Sequence, residues 1–288
     1  MHDNGLLKYY RHKAYRDGFL SAKDFKLKED ISIENWHATT VRCKSPVGDF
    51  YKKFKHYFCK EMADAEILLS QLYKTAGLET ALYFPVEENG HQFVVCNNVF
   101  TPETIEARAY HDRIAEEQGG NTIGISSFMS EPFSDKNPVV KYFYKKALAE
   151  RVKTRVLDSA SYNPDRQDCN YLYSLRNGRA DGVVLFDYER SGLEASRIMH
   201  YGSELSFGGY ANDFGFKNMS RLEAIDALKK DEFVHSVADL KEIGEEIGKI
   251  DVKGTALDIT RTTGYCVEQK YVDMISRSFD QTADLLVK

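Results

Sequence analysis

From Ala38 onward the chain moves between two hydrophobic periods. ATTVRCKS and FYKKFKHY flank the turn Pro46-Val47-Gly48-Asp49, which predicts a β-hairpin. EMADAEILLSQLYKTAGL then places Met62, Ala65, Leu68, Leu69, Leu72, Tyr73 and Ala76 at i, i+3, i+4, i+7 spacing, a helix closed by Gly77. ETALYFPV and HQFVVCNNVF, around Glu88-Asn89-Gly90, predict a second hairpin. Beyond residue 100 the pattern is mainly helical. TPETIEARAYHDRIAEEQ offers Thr101 as a cap and Pro102 as the first helical residue. GGNTIGISSF interrupts, and PVVKYFYKKALAERVKTRVLDSAS predicts a long amphipathic helix. Two short strands, CNYLYSL and GVVLFDYE, enclose Arg176-Asn177-Gly178-Arg179, whose Asn-Gly pair is a hairpin signal. After the Gly-rich YGSELSFGGYANDFGF come helices near 220–230, 233–250 and 267–287. The reading is an α+β, bilobal chain: an N-terminal extension over 1–37, a small β-rich N-lobe over 38–100, and a larger, mainly helical C-lobe over 101–288, with a hinge near residue 100.

Composition narrows the class without naming a function. The 288 residues are 29% charged and 42% hydrophobic, with 18 Tyr and 17 Phe, a globular composition rather than a disordered or fibrous one. Apolar runs fall far short of the ~20 residues of a membrane helix, so no membrane role is expected. A net charge of -5 argues against dedicated nucleic-acid binding. The basic and aromatic KYYRHKAYR near the N-terminus reads as a solvated helix face, with contact to nucleic acid or a partner as the alternative. Cys43, Cys59, Cys96, Cys169 and Cys266 are scattered and form no CxxC, and no signal-peptide pattern opens the sequence. Together these predict a cytoplasmic protein with reduced thiols, and delivery into a host cell would leave no sequence mark. The eight His show neither HxxxH nor HExxH and read as ordinary residues rather than metal ligands.

The chemistry concentrates in SYNPDRQDCNYLYSLRNGRADGVVLFDYERSG. A polar loop leaves the long helix and delivers Asp165; Asn170 follows five residues later at the start of a strand. The returning apolar strand ends in Asp187, where partial desolvation makes a bare carboxylate costly unless a cation or donors meet it. An acid, an amide and a second acid around one hairpin suit phosphoryl transfer: one carboxylate orients or deprotonates a nucleophile while the other two groups hold Mg²⁺ against phosphates.

NPDRQDCN resembles the N-x-D-R-x-x-x-N catalytic loop of the bacterial HipA-like kinases, and LFDYE resembles the segment carrying their metal-binding Asp. Gln167 stands where many relatives have His, and Tyr188 where other kinases have Phe. The resemblance spans roughly Val41 to Glu189 and implies a protein-kinase-like fold, with ATP and Mg²⁺ as cofactors and a protein Ser/Thr hydroxyl as acceptor, autophosphorylation included. It implies Asp165 as catalytic base and Asn170 and Asp187 as metal ligands. FYKKFK resembles the family's phosphate-contacting strand and favours Lys53, with Lys52 and Lys55 as rivals. Glu66, placed 11 residues before Gly77-Leu78, is its expected helix partner, and Glu61 is second choice. Arg42 and Lys44 near the first turn are further phosphate contacts. Ser203, Ser206 and Tyr210 fall where an activation segment belongs. The expected partners are a protein substrate and an antitoxin or other regulatory protein. Two alternatives stand beside the kinase: an AMP or glutamyl transferase on the same scaffold, and a pseudokinase interaction module.

Overall fold

The computed structural model describes residues 26–27, 39–45, 48–54, 60–88, 91–97, 99–119, 138–163, 166, 170–188, 191 and 221–288, with side chains omitted for 26–54, 86–93, 138, 221 and 224. The first sheet holds β1 (Lys26–Leu27), β2 (Thr39–Ser45), β3 (Gly48–Phe54), β5 (Tyr83–Glu88) and β6 (His91–Asn97), in the order β1-β2-β3-β6-β5. Both expected hairpins are in it. β2 and β3 pair antiparallel from Thr39↔Phe54 to Ser45↔Gly48, and β5 and β6 from Tyr83↔Cys96 to Glu88↔His91.

Helix α1 (Lys60–Thr75) packs against β5 and β6 and buries Ala65, Leu68, Leu69, Leu72 and Tyr73. It stops in a Schellman turn: Leu78 N–H donates to Tyr73 O at 3.1 Å, Gly77 N–H donates to Lys74 O at 3.0 Å, and Gly77 takes φ +82°, open to a residue without Cβ. Before β5, β4 (Glu79–Thr80) leaves the first sheet and pairs parallel with β9 (Arg179–Leu185) in a second sheet ordered β4-β9-β8-β7. The single strand expected over ETALYFPV is therefore two. Ala81 N–H bonds Leu185 O while Leu82 N–H bonds the Asn97 side chain, so the backbone changes sheets without losing donors.

The helix expected from Thr101 starts later. Thr101 accepts from Glu103 N–H in a local turn, β7 (Thr104–Glu106) pairs with β8 (Tyr171–Arg176), and α2 begins at Ala107 and runs to Glu117. β-branched Thr104 and Ile105 suit the pleated edge better than a first helical turn. The long helix expected from Pro138 also divides. A 3₁₀ segment, Pro138–Tyr142, precedes α3 (Lys145–Ala160), because Tyr144 N–H bonds Ala180 O and the Arg179 guanidinium bonds Phe143 O, which ties the junction to β9. β8 and β9 join through Asn177 (φ 51°) and Gly178 (φ 75°), the left-handed pair that an Asn-Gly hairpin turn needs.

The remainder is helical: α4 (Arg221–Lys230), α5 (Glu232–Val237), α6 (Leu240–Ile247), α7 (Val252–Thr263) and α8 (Gln269–Val287). The expected helix over 233–250 is broken at extended Ala238. Asp231, Asp239 and Asp251 each cap a separate helix by accepting N–H groups of its first turn, and α7 went unread in the sequence. A single apolar cluster runs from Leu68 and Tyr73 of α1 through Val152 and Val156 of α3 to Ile243 and Phe279 of α6 and α8. Among the described residues no helix is long and apolar enough to cross a membrane.

Candidate functional site

The β8–β9 hairpin sets the geometry. Its ladder, Tyr171↔Leu185, continues one step further, where Phe186 N–H donates to Asn170 O at 3.3 Å. Buried Asn170 and half-buried Asp187 therefore lie at the same end of the hairpin. Asp187 leaves strand geometry in the left-handed region, φ 62°, which is uncommon outside glycine and held here by its neighbours. Its N–H donates to the Tyr83 hydroxyl at 3.2 Å, and the next N–H, of Tyr188, donates to Glu66 Oε2 at 3.0 Å. A strand of the first sheet and helix α1 thus both grip the segment carrying Asp187.

Tyr188 anchors that segment. Its ring is fully buried, edge-on to Tyr73 at 5.0 Å and to Tyr83 at 6.3 Å. Its hydroxyl lies 2.6 Å from Thr80 Oγ1, and the Thr80 hydroxyl itself faces the carbonyls of Ala81 and Leu185. Burial, only partly countered by Arg166 and the Thr80 bond, pushes the Tyr188 phenol above its ordinary value, so it stays protonated and available as a donor.

Beneath the loop lies an ion pair at the end of α3. The Arg166 Nε and Nη2 atoms each reach the Asp158 carboxylate at 3.2 Å, with Arg166 1% and Asp158 4% exposed. Asp158 also accepts from the Tyr73 hydroxyl at 2.8 Å and from Asn163 Nδ2 at 2.9 Å. Arg166 Nη1 turns the other way and donates to Asn170 O at 2.9 Å and Phe186 O at 2.6 Å, with the guanidinium 5.0 Å from the Tyr188 ring centre. Burial is the largest single influence and works against the Arg166 charge, but Asp158 together with the Tyr188 and Tyr73 phenols outweighs it and holds the guanidinium above its ordinary value. Desolvation also raises the Tyr73 phenol well above its usual range.

The structure brings Glu66, Asn170 and Asp187 around one segment. Glu66 is fully buried rather than an exposed helix charge, whereas Glu61 is exposed. Lys53 sits on β3 opposite Thr40 and Val94, and Lys52 opposite Val41 and Val95. Arg42 and Lys44 lie on β2, opposite Tyr51 and Asp49. Asp165, Lys55, Gln167, Ser203, Ser206 and Tyr210, and the side chains of Lys53, Lys52, Arg42 and Lys44, fall outside the described residues. Six residues of the site carry no assigned role in the sequence: Asp158, Arg166, Asn163, Tyr73, Thr80 and Tyr83. The available signal was a polar residue on a buried face: Asp158 follows Arg151 and Arg155 along the inner side of α3, and buried charge requires a partner.

Among the described residues no three His, Cys, Asp or Glu side chains form a metal cluster by themselves. One carboxylate and one amide at a hairpin end form a hard-oxygen pair instead, which fits a magnesium held largely through substrate phosphates.

No family model and no curated protein sequence matches the chain. Among solved structures, the Helicobacter pylori proinflammatory kinase CtkA aligns with a TM-score of 0.62 and 11% identity, covering 93% of this chain and 97% of that one. HipA of Shewanella oneidensis MR-1, solved as a toxin–antitoxin system with HipB and operator DNA, aligns with a TM-score of 0.47 and 10% identity over 97% of this chain and 70% of that one. The first likeness gives this α+β chain a kinase fold, in agreement with the resemblance read from NPDRQDCN and LFDYE.

Proposed function

We propose that the chain is an ATP- and Mg²⁺-dependent phosphotransferase that moves the γ-phosphate of ATP to a Ser or Thr hydroxyl of a protein, its own chain included. The observation that carries this reading is the common placement of Asn170 and Asp187 at one hairpin end, with Asp187 turned out of the strand and its segment gripped by Glu66 and Tyr83. Asn170 and Asp187 would hold Mg²⁺, which supplies charge neutralisation between the phosphates when bound. Asp165, following the loop motif, accepts the proton of the acceptor hydroxyl. The hydroxyl oxygen bonds to the γ-phosphorus, the bond from that phosphorus to the bridging oxygen breaks, and ADP leaves. Lys53 is the phosphate contact and Glu66 its partner, with Arg42 and Lys44 as further contacts.

The test is transfer from labelled ATP by purified protein, read by intact mass so that phosphate, AMP and glutamate additions are told apart. Asp165→Asn should lower phosphate transfer by at least about 100-fold, the scale of an acid–base contribution, and Asp187→Asn should lower it strongly through loss of a charged metal ligand. Unchanged transfer in both variants, or addition of AMP or glutamate without phosphate, overturns the reading.

A further inference from the structure

The guanidinium of Arg166 bonds the backbone on which both Asn170 and Asp187 are mounted. A single nitrogen, Nη1, donates to Asn170 O and to Phe186 O, the carbonyl immediately before Asp187. The opposite edge of the same planar group is held by two bonds to Asp158. Asp158 is fixed in turn by the Tyr73 hydroxyl from α1 and by Asn163 from the loop. Tyr73, Asp158, Asn163, Arg166 and Asn170 are buried, and only a planar fork with five donors can meet both carboxylate oxygens and two carbonyls at once, where a lysine ammonium has three donors. In sequence Arg166 also directly follows Asp165, so the loop that delivers the acid is anchored at the next residue.

We propose that Arg166, locked by Asp158, is a positioning residue that sets the spacing between Asn170 and Asp187 and thereby the affinity of the site for a nucleotide-bound divalent cation. The proposal rests on the assignment of those two residues as metal ligands. Arg166 touches neither cation nor nucleotide; it acts through the carbonyls on which Asn170 and Asp187 are mounted. Loss of such outer support typically costs 10–100-fold in metal affinity.

The experiment measures Mn²⁺ binding in the presence of ATP by electron paramagnetic resonance, alongside thermal unfolding and phosphate transfer. Arg166→Lys keeps the charge facing Asp158 but loses the fork, so its Mn²⁺ dissociation constant should rise about tenfold. Asp158→Asn leaves both carbonyl bonds available and should shift binding in the same direction by less; it also provides the reading if Arg166→Lys does not fold. Arg179→Lys is the control for instability alone. Arg179 likewise donates to a backbone carbonyl, that of Phe143, but at the far end of the hairpin, so it should lower the melting temperature and leave Mn²⁺ binding unchanged. Folded Arg166→Lys and Asp158→Asn that bind Mn²⁺ like the wild type overturn the positioning role. Wild-type protein that binds no Mn²⁺ with ATP overturns the metal site and the positioning role together. Wild-type protein that binds Mn²⁺ but transfers no phosphate overturns the kinase reading alone, because the binding measurement still decides the role of Arg166.

Discussion

Replacing Asp64 by alanine should unfasten α1 from the C-terminal helices. Asp64 is fully buried on the face of α1 turned away from the hairpin. Its carboxylate accepts from Lys60 Nζ at 2.7 Å, from the Tyr265 hydroxyl at 2.7 Å and from Glu268 N–H at 3.0 Å, the last two on the connection between α7 and α8. Lys60 is 47% exposed, so its ion pair is screened and contributes about 1 kcal/mol or less. Tyr265 and Glu268 N–H would each lose a charged acceptor, at roughly 1–3 kcal/mol apiece when the donor is left buried. The expected loss is about 3–5 kcal/mol, most of it from the two donors left without their charged acceptor. Asp64→Asn retains one acceptor oxygen and should lose less, and Tyr265→Phe, which removes a single donor, less again. Urea unfolding of the three variants measures the order directly. A loss under about 1 kcal/mol for Asp64→Ala would refute the reasoning, since it would mean the donors re-pair with water and the network is not closed. The reverse order, Tyr265→Phe above Asp64→Ala, would refute it as well.

Other expectations follow from single contacts. Thr80→Val strands the buried Tyr188 hydroxyl and should cost about 1–3 kcal/mol, whereas Tyr188→Phe should cost about 1 kcal/mol and the double variant no more than Thr80→Val, as measured by chemical unfolding. Gly244→Ala would place its Cβ 2.7 Å from Leu286 Cβ between α6 and α8, and should lower stability by about 1–3 kcal/mol through overpacking, read from the melting temperature. Burial raises the Glu150 carboxyl above its usual value, against the Val183 N–H and Lys146 that lower it. Its contribution is therefore fully present below the unfolded pKa and is lost as pH rises through the higher folded one. Glu150→Gln lacks that loss, so its melting temperature should gain on the wild type as pH rises through and above the carboxylate range; a constant difference would contradict the assignment.

What could be read from the sequence was whatever is decided locally. The period of α1 and its Gly77 stop need only their own residues, as does the Asn177-Gly178 turn with its two positive φ values. The common placement of Asn170 and Asp187 was legible for the same reason: one hairpin carries both. Errors fell where a distant segment supplies the deciding bond. Thr101 and Pro102 look like a helix start until β8 offers Thr104 and Ile105 a strand partner. The helix expected from Pro138 looks continuous until Ala180 captures Tyr144 N–H. Asp239 sits within an unbroken apolar period and still starts a new helix, because its side chain takes Lys241 N–H and Glu242 N–H. The Asp158–Arg166 pair was hidden by the same cause: an acid late in a helix and an arginine in a loop are ordinary until the chain folds back and buries both.

The polar residues of α1 show how the two sheets and the C-terminal helices are made to agree. Four of them are fully buried, and each meets a different segment: Asp64 the α7–α8 connection, Glu66 the N–H after Asp187, Ser70 the Tyr83 N–H, and Tyr73 the Asp158 carboxylate. At 100° per residue, Glu66, Ser70 and Tyr73 fall on one side of the helix and Asp64 on the other. A rotation of α1 that kept Asp64 bonded would pull Glu66 from Tyr188, and a slide that kept Glu66 would break Tyr73 from Asp158. The helix is therefore fixed in both rotation and translation by groups that cannot be satisfied singly. Since Tyr73 and Arg166 meet on the same carboxylate, the position of α1 and the spacing of Asn170 and Asp187 are parts of one buried network rather than two independent adjustments.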